Sequence, residues 1–392
     1  MSIIIDGTNG ITLPSGAVSN TTGAVVGTTD TQTLTNKTFV TPALGTPASG
    51  SLVNCVDVQY TGFKNRIING AMVIDQRNAG AAITTTDTYC LDRWYTQNSV
   101  TAGTVTTQQV ADAPTGFYNS AKKTFASVTL NSTSGYANFQ QAIETNNTLD
   151  FAYGTASAQT ITVSFWVKSS VTGAHSFCLQ NYNATRRSYL SSYTINSANT
   201  WEQKSITIVG DTSFIIGTST LNNTGLQVRF SQGGGTQYAS ATANAWQSAD
   251  VFFLTGCVTP ATTNGATWQV TGVQLEKGST ATSFDYRPYG TELALCQRYY
   301  YDTQTSSASG YGTNGFVTSA NFPVTMRAGP TVTMFYSGTQ NRIYTIATAA
   351  LITMTPTILS GPTAVWAVYD TGISSISVGG GYLTQFKCSA EL

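Results

Sequence analysis

The sequence predicts an all-β protein, both from its composition and from short segments in which apolar and polar residues alternate. Thr, Tyr, Phe and Trp favour strands, and the 392 residues include 20 Tyr, 17 Phe and 6 Trp. Charged residues make up only 9% of the chain, so the Glu and Lys side chains that favour surface helices are scarce. The alternating segments have the two-residue period of a strand with one buried face.

The charge balance excludes several classes of function. Eighteen Lys and Arg residues balance 18 Asp and Glu residues, which leaves no basic surface for nucleic acid. No apolar run approaches the roughly 18 residues of a membrane span, so we expect no membrane insertion. The six Cys residues are scattered singly, and without a Cys-x-x-Cys pair they are expected to be free thiols of a protein made in a reducing cytoplasm.

Residues 1–60 form the first predicted region. They are rich in Thr, Gly, Ala and Ser and contain a tandem pair of Thr-Pro-Ala segments, 41–45 and 46–50. Proline in this pattern favours extended backbone, and so few apolar side chains cannot offset an ordering entropy of roughly 1–2 kcal/mol per residue. The region is therefore either a disordered linker or an extended stalk that becomes ordered by winding around identical copies.

Residues 61–288 are predicted to form a β-sandwich of the jelly-roll type. Apolar residues alternate along 161–168 and 226–230, and Ile206 and Ile208 indicate another strand. Trp268 and Val270 share one face, but the apolar phase shifts across Gly272, which predicts a β-bulge there. The dipeptides at 69–70 and 264–265 are turn signals.

Residues 289–392 are predicted to form a small C-terminal β-domain that begins with a short helix at 291–301. Pro288 precedes the helix and marks a domain junction, and Thr291 is the predicted cap. Strand-like runs return after 302, for example at 332–336 and 365–369.

The order of these regions resembles the tail-fibre proteins of bacteriophages, in particular those of marine and cyanobacterial phages. The resemblance rests on the opening segment 5–16, on the shaft-like segment 29–38 with its Thr-Pro-Ala repeats, and on Asn65–Arg77 followed by Asp92-Arg93-Trp94. The segments 273–278 and 281–288 close a region similar to the carbohydrate-binding-module-like jelly roll of phage receptor-binding proteins. The segments 296–300 and 322–327 are similar to the terminal module that often follows.

This resemblance implies a homotrimeric fibre of the virion. Residues 1–40 would attach to tail, baseplate or adaptor proteins, and the β-domains would recognise a polysaccharide or lipopolysaccharide of the host surface. The alternatives are a purely structural virion component and a glycan depolymerase. The family has no universal catalytic motif, so no enzymatic activity is expected.

The search for catalytic and metal-binding residues leaves few candidates. The single His, His175, is expected in an exposed loop, without the motif of a nucleophile elbow. Glycan cleavage needs only two carboxylates, and the sequence spacing does not identify such a pair. Sugar-binding jelly rolls often hold a structural calcium ion, for which Asp87, Asp92 and Asp250 are conceivable ligands.

A sugar site combines an aromatic ring with planar polar groups. The segment 180–189 fits this description best, and the predicted glycan-binding residues are Tyr182, Arg186, Arg187 and Tyr189. A solvated hairpin or an interchain contact is the alternative for these residues. Trp94 and Trp166 are expected in the core or on a sandwich face, whereas Tyr311, Tyr336 and Trp366 fit either a distal receptor patch or an interchain core.

Overall fold

The structure is a computed structural model that describes residues 4–6, 10–12, 63–181, 186–213, 221–370 and 375–392, without the side chains of 4–6, 10–12 and 319. The chain divides into two compact units, Met1–Cys55 and Val56–Leu392. In the first unit, β1 (Ile4–Asp6) pairs antiparallel with β2 (Gly10–Thr12). The rest of the predicted stalk at 1–60 and its trimeric winding lie outside the described residues.

The predicted all-β fold is confirmed, and the central region is a sandwich. Its strands are β3 (Thr88–Leu91), β4 (Trp94–Ser99), β5 (Ala102–Val110), β6 (Ser120–Thr129), β7 (Tyr136–Glu144), β8 (Ile161–Ser169), β9 (Gly173–Asn181), β10 (Arg187–Ile195), β11 (Glu202–Ile208), β12 (Thr224–Gly234), β13 (Ala239–Ser240), β14 (Trp246–Gln247), β15 (Phe253–Leu254) and β16 (Thr267–Lys277). Short 3-10 helices span Thr145–Asn147, Leu149–Phe151, Thr236–Tyr238 and Pro260–Thr262.

Two sheets form the layers of the sandwich. The seven-stranded sheet has the order β14-β10-β9-β12-β7-β4-β3, and the five-stranded sheet has the order β11-β8-β16-β6-β5. The side chains between them form the main hydrophobic core. The Trp94 ring stacks on Phe139, with 4.9 Å between the ring centroids, and Phe165 meets Phe230 edge to face at the same distance. Alternation within each strand thus places one set of residues in this core and the other on an outer face.

The bulge predicted at Gly272 is present. The pairing of β16 with β8 shifts register between Thr271 and Gln274, and Gly272 has a φ of 60°. A Cβ at this position would lie 2.6 Å from the Phe117 ring, so the bulge requires glycine both for its backbone angle and for this close approach.

One buried lysine lies inside the sandwich. Lys123 of β6 is fully buried, and its Nζ donates hydrogen bonds to Asn98 Oδ1 at 2.8 Å, Asn138 O at 2.9 Å and Gln232 Oε1 at 3.3 Å. All three acceptors are neutral. Burial without a carboxylate partner therefore lowers the pKa of Lys123 to about 7.

The C-terminal region forms a third, nine-stranded sheet with its own apolar core. Its elements are α1 (Tyr289–Gln297), β17 (Tyr300–Gly310), β18 (Gly315–Asn321), β19 (Thr331–Tyr336), β20 (Thr339–Gln340), β21 (Arg342–Thr345), β22 (Ala350–Thr353), β23 (Thr357–Ser360), β24 (Ala364–Tyr369) and β25 (Gly381–Ser389). The predicted helix exists, but its bounds differ from 291–301. It starts directly after Pro288, whose carbonyl accepts from the Thr291 and Glu292 amides, and it ends early because Tyr300 and Tyr301 pair with β25.

A buried ion-pair cluster joins this third sheet to the sandwich. The Glu391 carboxylate pairs with Arg93, which is 1% exposed, and with Arg77 at 2.6 Å. The Arg93 guanidinium also lies 3.5 Å from the centroid of the Tyr299 ring. Charged and aromatic contacts therefore link the sandwich to the C-terminal sheet within the compact unit Val56–Leu392.

Candidate functional site

The predicted glycan-binding segment lies at one end of the seven-stranded sheet. Tyr182 is outside the described residues. Arg186 pairs with Asp250 at 2.5 Å, and Arg187 pairs with Asp211 at 2.7 Å. Tyr189 is only 3% exposed, because it belongs to the main core and meets the Trp246 ring at 5.6 Å. The Tyr189 ring thus offers no face to a ligand in solvent, and both arginines hold neighbouring chain segments through carboxylates.

Residues 238–257, which we call the cover segment, close one half of the outer face of the seven-stranded sheet. Val251, Phe252 and Leu254 pack against Cys178 of β9 and Leu190 of β10. Backbone groups of the cover are also bonded, since Ser231 Oγ donates to Phe252 O at 2.7 Å and Leu254 N donates to Ser176 Oγ at 2.8 Å. This half of the face is therefore unavailable to a ligand.

The other half, over β4 and β7, carries aromatic and amide side chains that are half-buried at Tyr95, Gln97 and Tyr136 and buried at Asn138 and Gln140. We call it the tyrosine face, and it consists of Tyr95, Gln97, Tyr136, Asn138, Gln140 and Tyr238. The strand register places its members in cross-strand rows, since Gln97 is opposite Asn138 and Tyr95 is opposite Gln140. The alternate residues of the same strands, among them Trp94 and Phe139, point into the core. Strand alternation therefore fixes which side chains this face presents.

The rings of the tyrosine face are half-buried and held by contacts with neighbouring rings. Tyr95 meets Tyr89 edge to face with 4.9 Å between centroids. Tyr136 meets Tyr238 at 5.3 Å and Phe252 at 5.6 Å, also edge to face. Such packing holds the rings in place while leaving part of each phenol in contact with solvent.

Two buried amide atoms on this face have no partner among the described residues. They are Gln140 Oε1 and Asn138 Nδ2, on side chains that are 5% and 0% exposed. A buried polar atom without a hydrogen bond costs about 1–3 kcal/mol. Neither atom is exposed to solvent, so a buried water suits them better than direct contact with a ligand.

Asp87 contributes the exposed negative charge beside these rings. It directly precedes β3, and Thr88 is paired with Thr96, which places Asp87 next to Gln97. Burial and the charge of Asp87 both raise the pKa of Tyr95 and of Tyr136, with burial the larger cause. Burial also raises the pKa of Asp87, which a hydrogen bond from the Asn98 backbone opposes.

The outer face of the five-stranded sheet is a weaker candidate. Trp166 lies there half-buried, with Gln203 and Thr271 opposite it, which agrees with the prediction of a core or face position. Lys168 Nζ donates to Asp112 Oδ2 at 2.5 Å and Trp201 Nε1 donates to Asp112 Oδ1 at 3.3 Å, whereas the buried Thr271 Oγ1 has no partner among the described residues. Trp94, by contrast, is fully buried in the core.

The C-terminal sheet carries a shallow groove with a volume of about 340 Å³. Val332, Met334 and Ile358 line it together with polar residues. The predicted aromatic candidates of this region differ in exposure. Tyr311 and Trp366 are exposed, whereas Tyr336 is half-buried and stacks on Tyr344 at 5.3 Å.

The expectation for His175 was wrong. This residue lies on β9, is 1% exposed, and places Nε2 2.8 Å from the Val171 carbonyl oxygen. Its cross-strand partner is Tyr193, and the two rings stack with 5.5 Å between centroids. Burial lowers the pKa of His175, because the charged ring would lose its hydration.

The conceivable calcium ligands do not come together. The Asp92 carboxylate accepts hydrogen bonds from the backbone and side chain of Gln76, whereas Asp250 accepts from Gln180 and Arg186. Across the described ranges, no group of three or more His, Cys, Asp and Glu side chains has the arrangement of a metal site. Within the same ranges, no helix has the length and apolar character needed to span a bilayer. The five described Cys residues are free thiols.

Comparisons with known proteins give similarity at the level of solved structures alone. No protein-family model matches the chain, and no curated protein matches it. The enzymatically active domain of tailspike protein 4 from bacteriophage CBA120 is 13% identical, with a TM-score of 0.31 over 55% of this chain. The matched part corresponds to only 22% of the length of that tailspike chain.

Two further structures cover similar parts of the chain. A putative sugar-binding protein from Bacteroides thetaiotaomicron is 12% identical, with a TM-score of 0.34 over 55% of this chain and 100% of its own. A family 11 carbohydrate-binding module from Clostridium thermocellum, solved with a β-1,3-1,4-linked tetrasaccharide, is 12% identical, with a TM-score of 0.27 over 51% of this chain and 97% of its own.

Proposed function

We propose that this protein is a bacteriophage tail fibre that binds a glycan of the host cell surface through the tyrosine face. The observation that carries the proposal is the set of fixed, half-exposed phenol rings beside the half-buried Gln97 amide. A sugar ring has an apolar face of C–H groups and a rim of hydroxyls. The rings of Tyr95 and Tyr136 suit the first, and the half-buried Gln97 amide suits the second.

The proposal assigns binding without cleavage. Glycoside hydrolysis generally uses two carboxylates about 5–10 Å apart across the scissile bond. On the tyrosine face and the chain that borders it, Asp87 is the single carboxylate among the described residues whose charge acts on Tyr95 and Tyr136. Since hydrolysis generally uses two carboxylates, a single carboxylate favours binding of the glycan over its cleavage.

The proposed assembly is a homotrimer located in the phage tail. Residues 1–60 carry too few apolar side chains to become ordered alone, and residues 1–40 would bind tail, baseplate or adaptor proteins. Three linked sites raise avidity by roughly 10²–10⁴ over one site, which compensates for weak binding of a polar sugar at each site. The protein would be made in the host cytoplasm and packaged into the virion.

The experiment measures binding of the full-length chain to an array of bacterial surface glycans, together with its mass in solution by light scattering. We expect concentration-dependent binding to a restricted set of glycans, unshortened glycans after incubation, and a mass three times 41.5 kDa. Shortened glycans would favour a depolymerase. A trimer that binds no glycan would favour a structural virion component, and a stable monomer would contradict the fibre.

A further inference from the structure

Asp87 stands at the edge of the tyrosine face as an exposed carboxylate outside every ion pair between described residues. Its φ of 54° is in the left-handed region, which Asp and Asn adopt more readily than other side chains. Its charge acts on both Tyr95 and Tyr136. Asp87 therefore adds a negative charge beside both phenol groups, next to Gln97 in the strand register.

Arg229 also acts on Tyr136, where its charge opposes that of Asp87, but its guanidinium is not exposed to a ligand. Arg229 is 3% exposed, its Cζ lies 4.3 Å from the centroid of the Phe252 ring, and its Nη2 donates to Gln227 Oε1 at 2.9 Å. It thus lies beneath the edge of the cover segment. A ligand that approaches from solvent meets the Asp87 carboxylate and not the Arg229 guanidinium.

The remaining groups of the face also favour a cation that donates hydrogen bonds. The face of a phenol ring is negative and attracts an ammonium within about 6 Å of its centroid. An ammonium group carries three donors and no acceptor, so it complements an exposed carboxylate and the faces of the neighbouring phenol rings.

We propose that the tyrosine face selects glycans whose sugars carry a free, protonated amino group over their N-acetylated counterparts and over acidic glycans. This inference rests on the proposed glycan binding and adds the class of glycan. N-acetylation removes the charge and two donors while it leaves the sugar ring intact, whereas a uronic acid places a second negative charge beside Asp87.

The test uses the full-length protein and oligosaccharides of β-1,4-linked glucosamine and of galactosamine, each with free amines and fully N-acetylated, plus an oligouronate. Affinities are measured by isothermal titration calorimetry at weakly acidic pH, at low and at high salt. We expect the free amine to bind about fivefold more tightly, because it adds a cation–π contact with a phenol ring and an exposed ion pair with Asp87. The preference should shrink at high salt because exposed charges are screened.

Asp87→Asn is the informative variant, because Asn tolerates the same backbone angle and keeps the side-chain shape. It should remove the preference and leave binding of the N-acetylated sugars unchanged. Asp112→Asn on the opposite face of the sandwich is the matched control, since it changes the net charge equally and should keep the preference. Equal affinity for both forms, or an unaltered preference in Asp87→Asn, would overturn the inference while glycan binding itself stands. Absence of binding to every probe would contradict the inference and the glycan-binding function together.

Discussion

The Arg229 guanidinium stacks on the ring of Phe252, with 4.3 Å between Cζ and the ring centroid. This contact marks the border on the seven-stranded sheet between the half that the cover segment closes and the half that forms the tyrosine face. Phe252 of the cover segment contacts both halves of the sheet, because it packs over Cys178 and its ring also meets Tyr136 of the tyrosine face.

Replacement of Phe252 by Ala should loosen the cover segment. The ring is 3% exposed, and loss of a buried Phe costs about 3–5 kcal/mol. We expect faster alkylation of Cys178, whose thiol is fully buried under the cover, while Cys296 and Cys388 react as before. Phe117→Ala, on the other face of the sandwich, removes a ring of the same size and serves as the control. A folded Phe252→Ala protein in which Cys178 stays as protected as in the native protein would show that the cover does not depend on this ring.

Removal of a ring from the tyrosine face should weaken glycan binding without unfolding the protein. Tyr95→Ala and Tyr136→Ala are each expected to lower the affinity for a bound glycan by about tenfold, as for a residue at the centre of an interface. Tyr118→Ala removes an equally large ring that is 74% exposed near β6 and should leave the affinity unchanged. Calorimetric titration of the three variants checks this, and equal affinities in all three would move the binding site elsewhere.

The sequence predicts strands where the alternation of apolar and polar residues is local. It did not predict the tyrosine face. The alternation at 161–168 and the phase shift at Gly272 identify β8 and the bulge of β16, because each depends on neighbouring residues. His175 and Tyr189 are buried by Tyr193 and Trp246, which lie 18 and 57 positions further along the chain. Local sequence carries no signal for such contacts.

The tyrosine face itself arises from the order of strands in the sheet. Tyr95 and Gln140 are neighbours because β4 pairs with β7. Tyr238 is the first residue of the cover segment, and its ring contacts Tyr136. The signal available in the sequence was the alternation of polar residues with Trp94 and with Phe139. That pattern indicates two outward-facing strand surfaces, but it does not indicate that they are adjacent.

The contact between the sandwich and the C-terminal sheet should depend on Glu391. Glu391→Gln removes the charge that pairs with the buried Arg93, and breaking a buried pair costs about 3–5 kcal/mol. Asp112→Asn breaks the pair with Lys168, in which the aspartate side chain is 47% exposed, and should cost at most about 1 kcal/mol. Denaturant unfolding of both variants gives the comparison. A loss of stability in Glu391→Gln no larger than in the control would contradict a structural role for the cluster.

The buried Lys123 should make the free energy of unfolding depend on pH between about 7 and 10.5. Burial lowers the pKa of Lys123 in the folded state from 10.5 to about 7. Between these two values the unfolded chain binds a proton that the folded chain does not, so the free energy of unfolding should rise with pH by up to about 1.4 kcal/mol per unit. Below the lower value both states are protonated, and this contribution to the pH dependence disappears.

Lys123→Met isolates this effect, because the other titrating groups remain in both proteins. The native protein should gain stability relative to Lys123→Met as the pH rises through the window, measured by denaturant unfolding at a series of pH values. Parallel curves for the two proteins would show that the Lys123 ammonium keeps its ordinary pKa within the fold.

The central claim is that the tyrosine face of the seven-stranded sheet binds a glycan, and a crystal structure of the full-length protein with a bound oligosaccharide tests it most directly. The account predicts a sugar ring against Tyr95 or Tyr136, with a hydroxyl or amino group hydrogen-bonded to the side chain of Gln97. Sugar density over Trp166, or in the groove between Met334 and Ile358, with the tyrosine face empty, would contradict it.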